Sequence, residues 1–423
     1  MNEDFLHYVW KFQKFSSVGL CTTKGEAIQV LKMGVHNFDA GPDFLLGEVV
    51  IGDHLWAGMI EIHIRSSDWY LHSHETDSAY DSVILHVVWE HDRSVFREDE
   101  TAIPTLVLKD RVPVELLANY FGLLFRNKKW INCESELAGI DEVTFKGWLD
   151  RMFLERLQLR SQFIDAQLLA SQKNWEAVFF VLLCKNFGLK TNANSFASIA
   201  QSVDYKVVQK CRQKKEWMEA LLLGQAGLLD APGEGSFYRG SQDQYRLLAL
   251  KFKLKNTEVE TPRFFRLRPP NFPTLRLSQL AMLWCERIHL FSEILTAKST
   301  ADFYKLFDVS ASSYWDTHYN FEVISSKRKK KLTKKFIDLI IINTVIPLKY
   351  SYALHQGKDI SEEIIDLAIS IKAERNIIVD RFHDLRDLNG SALDSQGLLQ
   401  LKKNYCDQNK CLQCAVGNAV LRR

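Results

Sequence analysis

What this chain of 423 residues lacks narrows its class before any motif is read. Its longest uninterrupted apolar run is about "AVFFVLLC", Ala177 to Cys184, far short of the roughly 20 apolar residues that span a bilayer. The opening "MNEDFLHYVW" is acidic and has no basic stretch leading into an apolar core, so no secretory signal is expected. Together these point to a cytoplasmic protein with no membrane partner. No period of the solenoid kind repeats along the chain. The eight cysteines are scattered and lack the density of a disulfide scaffold, so most are expected as reduced thiols. Compact zinc-protease spacings such as HExxH are missing. Low hydrophobicity is missing too. With 46% apolar and 12% aromatic residues the chain can fill well-buried cores, which excludes disorder.

What is present is unevenly distributed. Residues 1–125 carry 9 Lys and Arg against 19 Asp and Glu, while the remainder holds 45 basic and 33 acidic residues. An acidic front suits cation binding, and a basic rear suits a polyanion such as nucleic acid. Solvated surface on both halves is the plain alternative.

Patterning divides the chain at the same place. "NEDFLHYVWKFQKF" has helical spacing. From Ala27 to Leu108, "AIQVLKMG", "FLLGEVVIG", "HLWAGMIEIHI", "DSVILHVVW" and "IPTLVLKD" are short, β-branched or aromatic, and separated by Gly, Asp, Asn and Pro. "IGDHLW" marks a hairpin turn. After "VPVELLANYFGLLF" the pattern turns helical and stays so. The expected fold class is α+β. A mixed β-sheet domain over 1–125 is followed by a large all-helical domain over 126–423 that carries a cysteine cluster at its end.

The chemistry concentrates in the front. Seven of the twelve histidines lie between His36 and His91. In "GMIEIHI", Glu61 and His63 are two apart on a strand and so share a face, and Arg65 follows on it. Asp43, after the turn "AGP", begins the preceding strand. A hairpin would bring Asp43 and Glu61 together. Carboxylates so placed are hard oxygen ligands for Mg²⁺ or Mn²⁺, with His63 as a third ligand or an assistant to the attacking water and Arg65 stabilising charge. Pro42-Asp43 followed by Glu61-Ile62-His63 resembles the PD-(D/E)XK nuclease superfamily. That resemblance implies a restriction-endonuclease-like front domain and phosphodiester cleavage on DNA or RNA. It also implies an acid from an upstream helix, for which Glu26 in "KGEAIQV" is a poor match. The superfamily's Lys is His63 here, and an imidazole is not a permanent cation. A rival set is His72, His74 and His86, which suits Zn²⁺ or Fe²⁺. A non-catalytic module that binds nucleic acid or protein is the remaining alternative.

In the tail, Cys406, Cys411 and Cys414 have the spacing C-x4-C-x2-C, a signal for Zn²⁺ or a [4Fe–4S] cluster. Cys133 is the expected fourth ligand, with Cys21 second. Some nucleases of the resembled superfamily hold a cluster on one early and three late cysteines, though with other spacings. Two basic stretches are candidate nucleic-acid contacts. "KRKKKLTKK" contributes Lys329, Lys330 and Lys331. "RFFRLRPPNFPTLR" interleaves Arg263, Arg266, Arg268 and Arg276 with aromatics. The ordered set "NFDAGPDF", "GMIEIHIRSSDWYLHSH", "RLRPPNFPTLRLSQLA" and "CLQCAVGN" resembles, over nearly the whole chain, an uncharacterised bacterial family known only as a domain of unknown function. It implies no activity.

Overall fold

The twelve-residue strand "HLWAGMIEIHIR" organises the front of the molecule, seen here in a computed structural model that describes residues 1–125, 129–321, 323–388 and 390–422. By its contacts the chain divides into two units, Met1–Trp148 with Leu401–Arg423, and Leu149–Gln400. These units differ from the division read in the sequence. The cysteine tail folds with the front, because the apolar helix Ala415–Leu421 packs on a helix of the first unit, Val114–Leu124.

The first unit holds a mixed sheet, as expected. Its strands are β1 (Ile28–Lys32), β2 (Val35–His36), β3 (Phe44–Ile51), β4 (His54–Arg65), β5 (Val83–Glu90) and β6 (Thr105–Val107). Their order is β1-β3-β4-β5-β6, with β2 also paired to β3. The β1–β3 and β3–β4 pairs are antiparallel, whereas β5 lies parallel to β4 and β6 parallel to β5. The β3–β4 hairpin closes at Gly52-Asp53, where Gly52 takes a φ of +60°, the left-handed region that tight hairpin turns demand. Parallel pairing needs a crossover. Residues 66–82 supply it as a single helical turn, Asp68–Leu71, and two 3₁₀ turns, His74–Thr76 and Ser78–Tyr80. β5 is buried from Val83 to Val88, the pattern of a strand covered on both faces.

Register sets the site. Phe44 lies opposite Ile60, so Asp43 arrives beside Glu61. Glu61 pairs with His86 and His63 with Val88, so residues 61, 63 and 86 point to one face. The helix α1 (Glu3–Lys11) contacts β4. It buries Phe5, Leu6, Val9 and Trp10, each contributing about 1.5–3 kcal/mol of burial free energy. Glu3 and His7 are one turn apart on α1 and share a side.

The second unit is helical apart from two short paired strands, His318–Asn320 and Val323–Ile324, which the all-helical reading did not include. Its helical stretch Lys334–His355 is long and apolar enough to cross a membrane, but 72% of its apolar window is buried inside the protein. A π turn at Ile341–Val345 interrupts it just before Pro347. Proline has no N–H to donate back along the helix. The carbonyl this frees, at Asn343, accepts instead from Asn186 Nδ2 at 3.0 Å, and the adjacent Ile342 carbonyl accepts from Arg160 at 3.0 Å.

The β4–β5 seam has no room at Gly58. A Cβ there would lie 2.6 Å from the Ser82 carbonyl oxygen and 2.5 Å from Ile84 Cγ2. Gly58→Ala is expected to destabilise the protein by about 1–3 kcal/mol through overpacking, measured by denaturant melting. An unchanged midpoint would show that the strands part there freely.

Candidate metal centre

The two carboxylates singled out in the sequence meet through the backbone of the hairpin. The Asp43 N–H donates to Glu61 Oε2 at 3.1 Å, and the Ile62 N–H donates to Asp43 Oδ2 at 3.0 Å. Each acid is thereby fixed against the other's strand. Asp43 Oδ2 also pairs with His7 Nε2 of α1 at 3.1 Å.

Glu61 Oε1 faces two imidazoles, with His74 Nε2 at 3.4 Å and His63 Nε2 at 3.6 Å. His63 Nε2 lies 3.2 Å from His72 Nδ1. The donor nitrogens of His63, His72 and His74 all fall within 4.8 Å of one another. Behind them His63 Nδ1 meets His86 Nε2 at 2.8 Å. Tyr80 stacks on His74 at 3.7 Å between ring centroids, and Trp69 meets it edge-on. The crossover thus delivers His72 and His74 over the face on which β4 presents Glu61 and His63. The cluster opens to solvent on the exposed His72 side, while the His63 side chain is 1% exposed.

The sequence sets are therefore recombined. Asp43, Glu61 and His63 are together as expected. His72 and His74 join His63 at the front of the cluster, and His86 stands behind His63 instead of beside them. Arg65 ends β4 with its side chain in solvent, outside this hydrogen-bonded group. Glu26 lies in a turn closed by Thr22. Two residues that sequence reading passed over belong here. His7 binds Asp43, and Glu3 is half-buried and electrostatically coupled to Asp43, His72 and His7. Their four-residue spacing in a segment already read as helix sets them on one side, but the sequence does not show that this side meets β4.

Electrostatics separates the roles. Burial pushes His63 down to about 3, with His74 and His72 adding to it. Burial and the neighbouring His63 drive His86 well below the usual imidazole range. Both are neutral near pH 7, so His63 cannot replace the superfamily's lysine as a cation. Burial raises the Glu61 carboxyl, as does Asp43, against the hydrogen bond from His74. At His7 burial opposes the charge, but the bond to Asp43 and its charge outweigh it and hold the imidazole above its ordinary value. Three imidazoles and a carboxylate form a donor set suited to Zn²⁺, Fe²⁺ or Mn²⁺. It is poorly matched to Mg²⁺, which prefers all-oxygen octahedra.

The basic candidates of the second unit fare unequally. Lys330 is buried, donates to the carbonyls of Trp315 and Asp316, and sits over the Tyr319 ring at 4.2 Å. Arg276 is buried, donates to Gln279 and Asn271, and lies 3.6 Å over Phe336. Both are occupied internally and are corrected to structural residues. Arg263, Arg266, Arg268, Lys329 and Lys331 are exposed, with Arg263 paired to Glu260 and Lys331 to Asp308.

An α+β chain with a histidine–carboxylate cluster at a β-hairpin is the class that fold and site define. Residues 3–377 match the family described as Protein of unknown function (DUF2851), and the chain belongs to that family. No curated protein and no solved structure matches it.

A pH dependence follows from the two depressed imidazoles. The unfolded chain takes up their protons first on acidification, so their contribution is full above about pH 6.5 and is lost as pH falls toward about 3. For His63 alone this amounts to about 2 kcal/mol at pH 5, at 1.36 kcal/mol per pH unit. Metal-stripped protein is expected to lose stability from pH 7.5 to pH 5 in denaturant melts, and His63→Gln to lose less. Equal losses in the two proteins would contradict a buried neutral His63.

Proposed function

We propose that the first unit is a metal-dependent phosphodiester hydrolase of nuclease type, with one transition-metal ion held by His63, His72, His74 and Glu61. The observation that carries this reading is the convergence of those four side chains on one point beside Asp43. The nuclease part rests on the order of the parts. An acid enters one strand at Pro42-Asp43, an acid-x-His triplet lies on its hairpin partner, and an upstream helix adds Glu3. This is the arrangement of the superfamily the sequence resembles.

A bound ion would polarise a phosphoryl oxygen and lower the pKa of a coordinated water. The chain's own groups do the rest. Asp43, oriented by the Ile62 N–H and by His7, keeps its other oxygen for the ion's water or for a second ion. His7, whose proton the bond to Asp43 favours, is the candidate for the positive charge that neutral His63 does not bring. With its proton on Nδ1 toward His86, His63 would turn its Nε2 lone pair to the ion, the usual device for fixing a ligating tautomer. Nucleic acid is the proposed substrate. Exposed Arg263, Arg266 and Arg268, with Phe265 beside them, and Lys329 and Lys331 are the phosphate contacts this reading uses.

Cleavage of single- and double-stranded DNA and RNA, assayed with Mn²⁺, Zn²⁺ and Mg²⁺, tests the proposal. Wild type is expected to cut at least one substrate, with Mn²⁺ or Zn²⁺ surpassing Mg²⁺, and Asp43→Ala and His74→Ala to abolish cutting. If Asp43→Ala cuts as well as wild type, the reading fails. His86→Gln is expected to retain the fold and weaken metal affinity about 10–100-fold in a calorimetric titration. Unchanged affinity would remove His86 from the site.

A further inference from the structure

A second group of donors lies in the first unit, away from the histidines and unused by the hydrolase reading. Cys133, Cys406, Cys411 and Cys414 line one small cavity of about 20 Å³, together with Asn132 and Gly417. That is space for a single small guest, since one water fills about 10–15 Å³ by this measure. The four thiols come from two distant stretches of sequence. Cys133 lies in the turn after Ile131. Cys406 ends a π turn, Cys411 starts a 3₁₀ turn, and Cys414 precedes the helix Ala415–Leu421. None is in a disulfide.

Three N–H groups face two of the sulfurs. Asn132 Nδ2 donates to Cys411 Sγ at 3.4 Å, and the backbone N–H groups of Val416 and Gly417 donate to the Cys414 sulfur. Gly417 is needed for the approach, since a Cβ there would fall 2.1 Å from the Cys411 carbonyl oxygen.

We infer that Cys133, Cys406, Cys411 and Cys414 are the four thiolate ligands of one thiophilic metal centre, which ties the last segment of the chain to residue 133. The 3₁₀ turn that carries Cys411 also contacts α1, the helix that delivers His7, so the tie braces that helix. A zinc ion would draw the four sulfurs to about 3.8 Å of one another, from Zn–S bonds near 2.3 Å. An iron–sulfur cluster would stand among them at wider spacing. Both are four-thiolate chemistry. In either case binding free energy becomes folding free energy, because the ligand set does not exist in the unfolded chain.

The test uses the full chain, purified without oxygen, in a His72→Ala, His74→Ala background, so that metal at the imidazoles does not count. Iron, acid-labile sulfide and zinc are measured per chain. Iron with equal sulfide and a broad visible absorbance supports a cluster, and one zinc without sulfide supports a single ion. Cys133→Ser or Cys414→Ser added to that background is expected to lose the metal and lower the melting temperature, while Cys21→Ser, at an exposed thiol, leaves both unchanged. The inference is overturned if the background protein holds neither metal, or if Cys133→Ser keeps its metal. Should the serine variants fail to accumulate, the stoichiometry of the background protein decides alone. Success here with no nucleic-acid cleavage would leave this centre standing and remove only the hydrolase reading.

Discussion

The site depends on a pair of reciprocal hydrogen bonds between a strand entry and its hairpin partner. Asp43 offers its N–H to Glu61 and receives the N–H of Ile62. Two acids so close would repel if each were merely tethered by its own strand. Here each carboxylate is held by a backbone donor of the other strand, and hydrogen bonds to ionised groups are the stronger kind. With Glu61 fixed, strand alternation fixes His63, and parallel register fixes His86 behind it. The crossover then has only to lay His72 and His74 over a prepared surface.

The cluster also shows how burial divides chemically identical side chains. His7 and His63 both touch a carboxylate. His7 is partly open and bonded to Asp43, so its proton is favoured. His63 is enclosed among other imidazoles, so its proton is disfavoured. The charged form is favoured in one, and the other is a neutral lone-pair donor. The proposed hydrolase chemistry uses both kinds, a neutral ligand for a borderline metal and a favoured cation for an anion.

Much of this was legible in the sequence. The change from period-two to helical patterning gave the sheet and the helical region. The turn at "IGDHLW" and the two-residue spacing of Glu61 and His63 gave a shared face. The four cysteines that line one cavity are those the spacing and the domain junction suggested. Four things were not legible. The pairing of His63 with His72 and His74 depends on how residues 66–82 fold back, and irregular crossovers carry no periodicity to read. The part played by Glu3 and His7 depends on α1 lying against β4, a tertiary fact. The burial of Lys330 and Arg276 was hidden because a basic run or an Arg–Phe stretch reads the same whether it faces water or carbonyls. The return of the tail to the first unit was likewise obscured by its helical pattern, which matched the residues just before it.

The account turns on a single ion seated among Glu61, His63, His72 and His74. Crystals soaked in Mn²⁺ or Zn²⁺ and measured at that metal's absorption edge test it most directly. The account predicts one anomalous peak about 2.0–2.2 Å from a nitrogen of each of the three imidazoles and an oxygen of Glu61. An empty map at that point, with the four side chains in place and metal bound elsewhere, would contradict it.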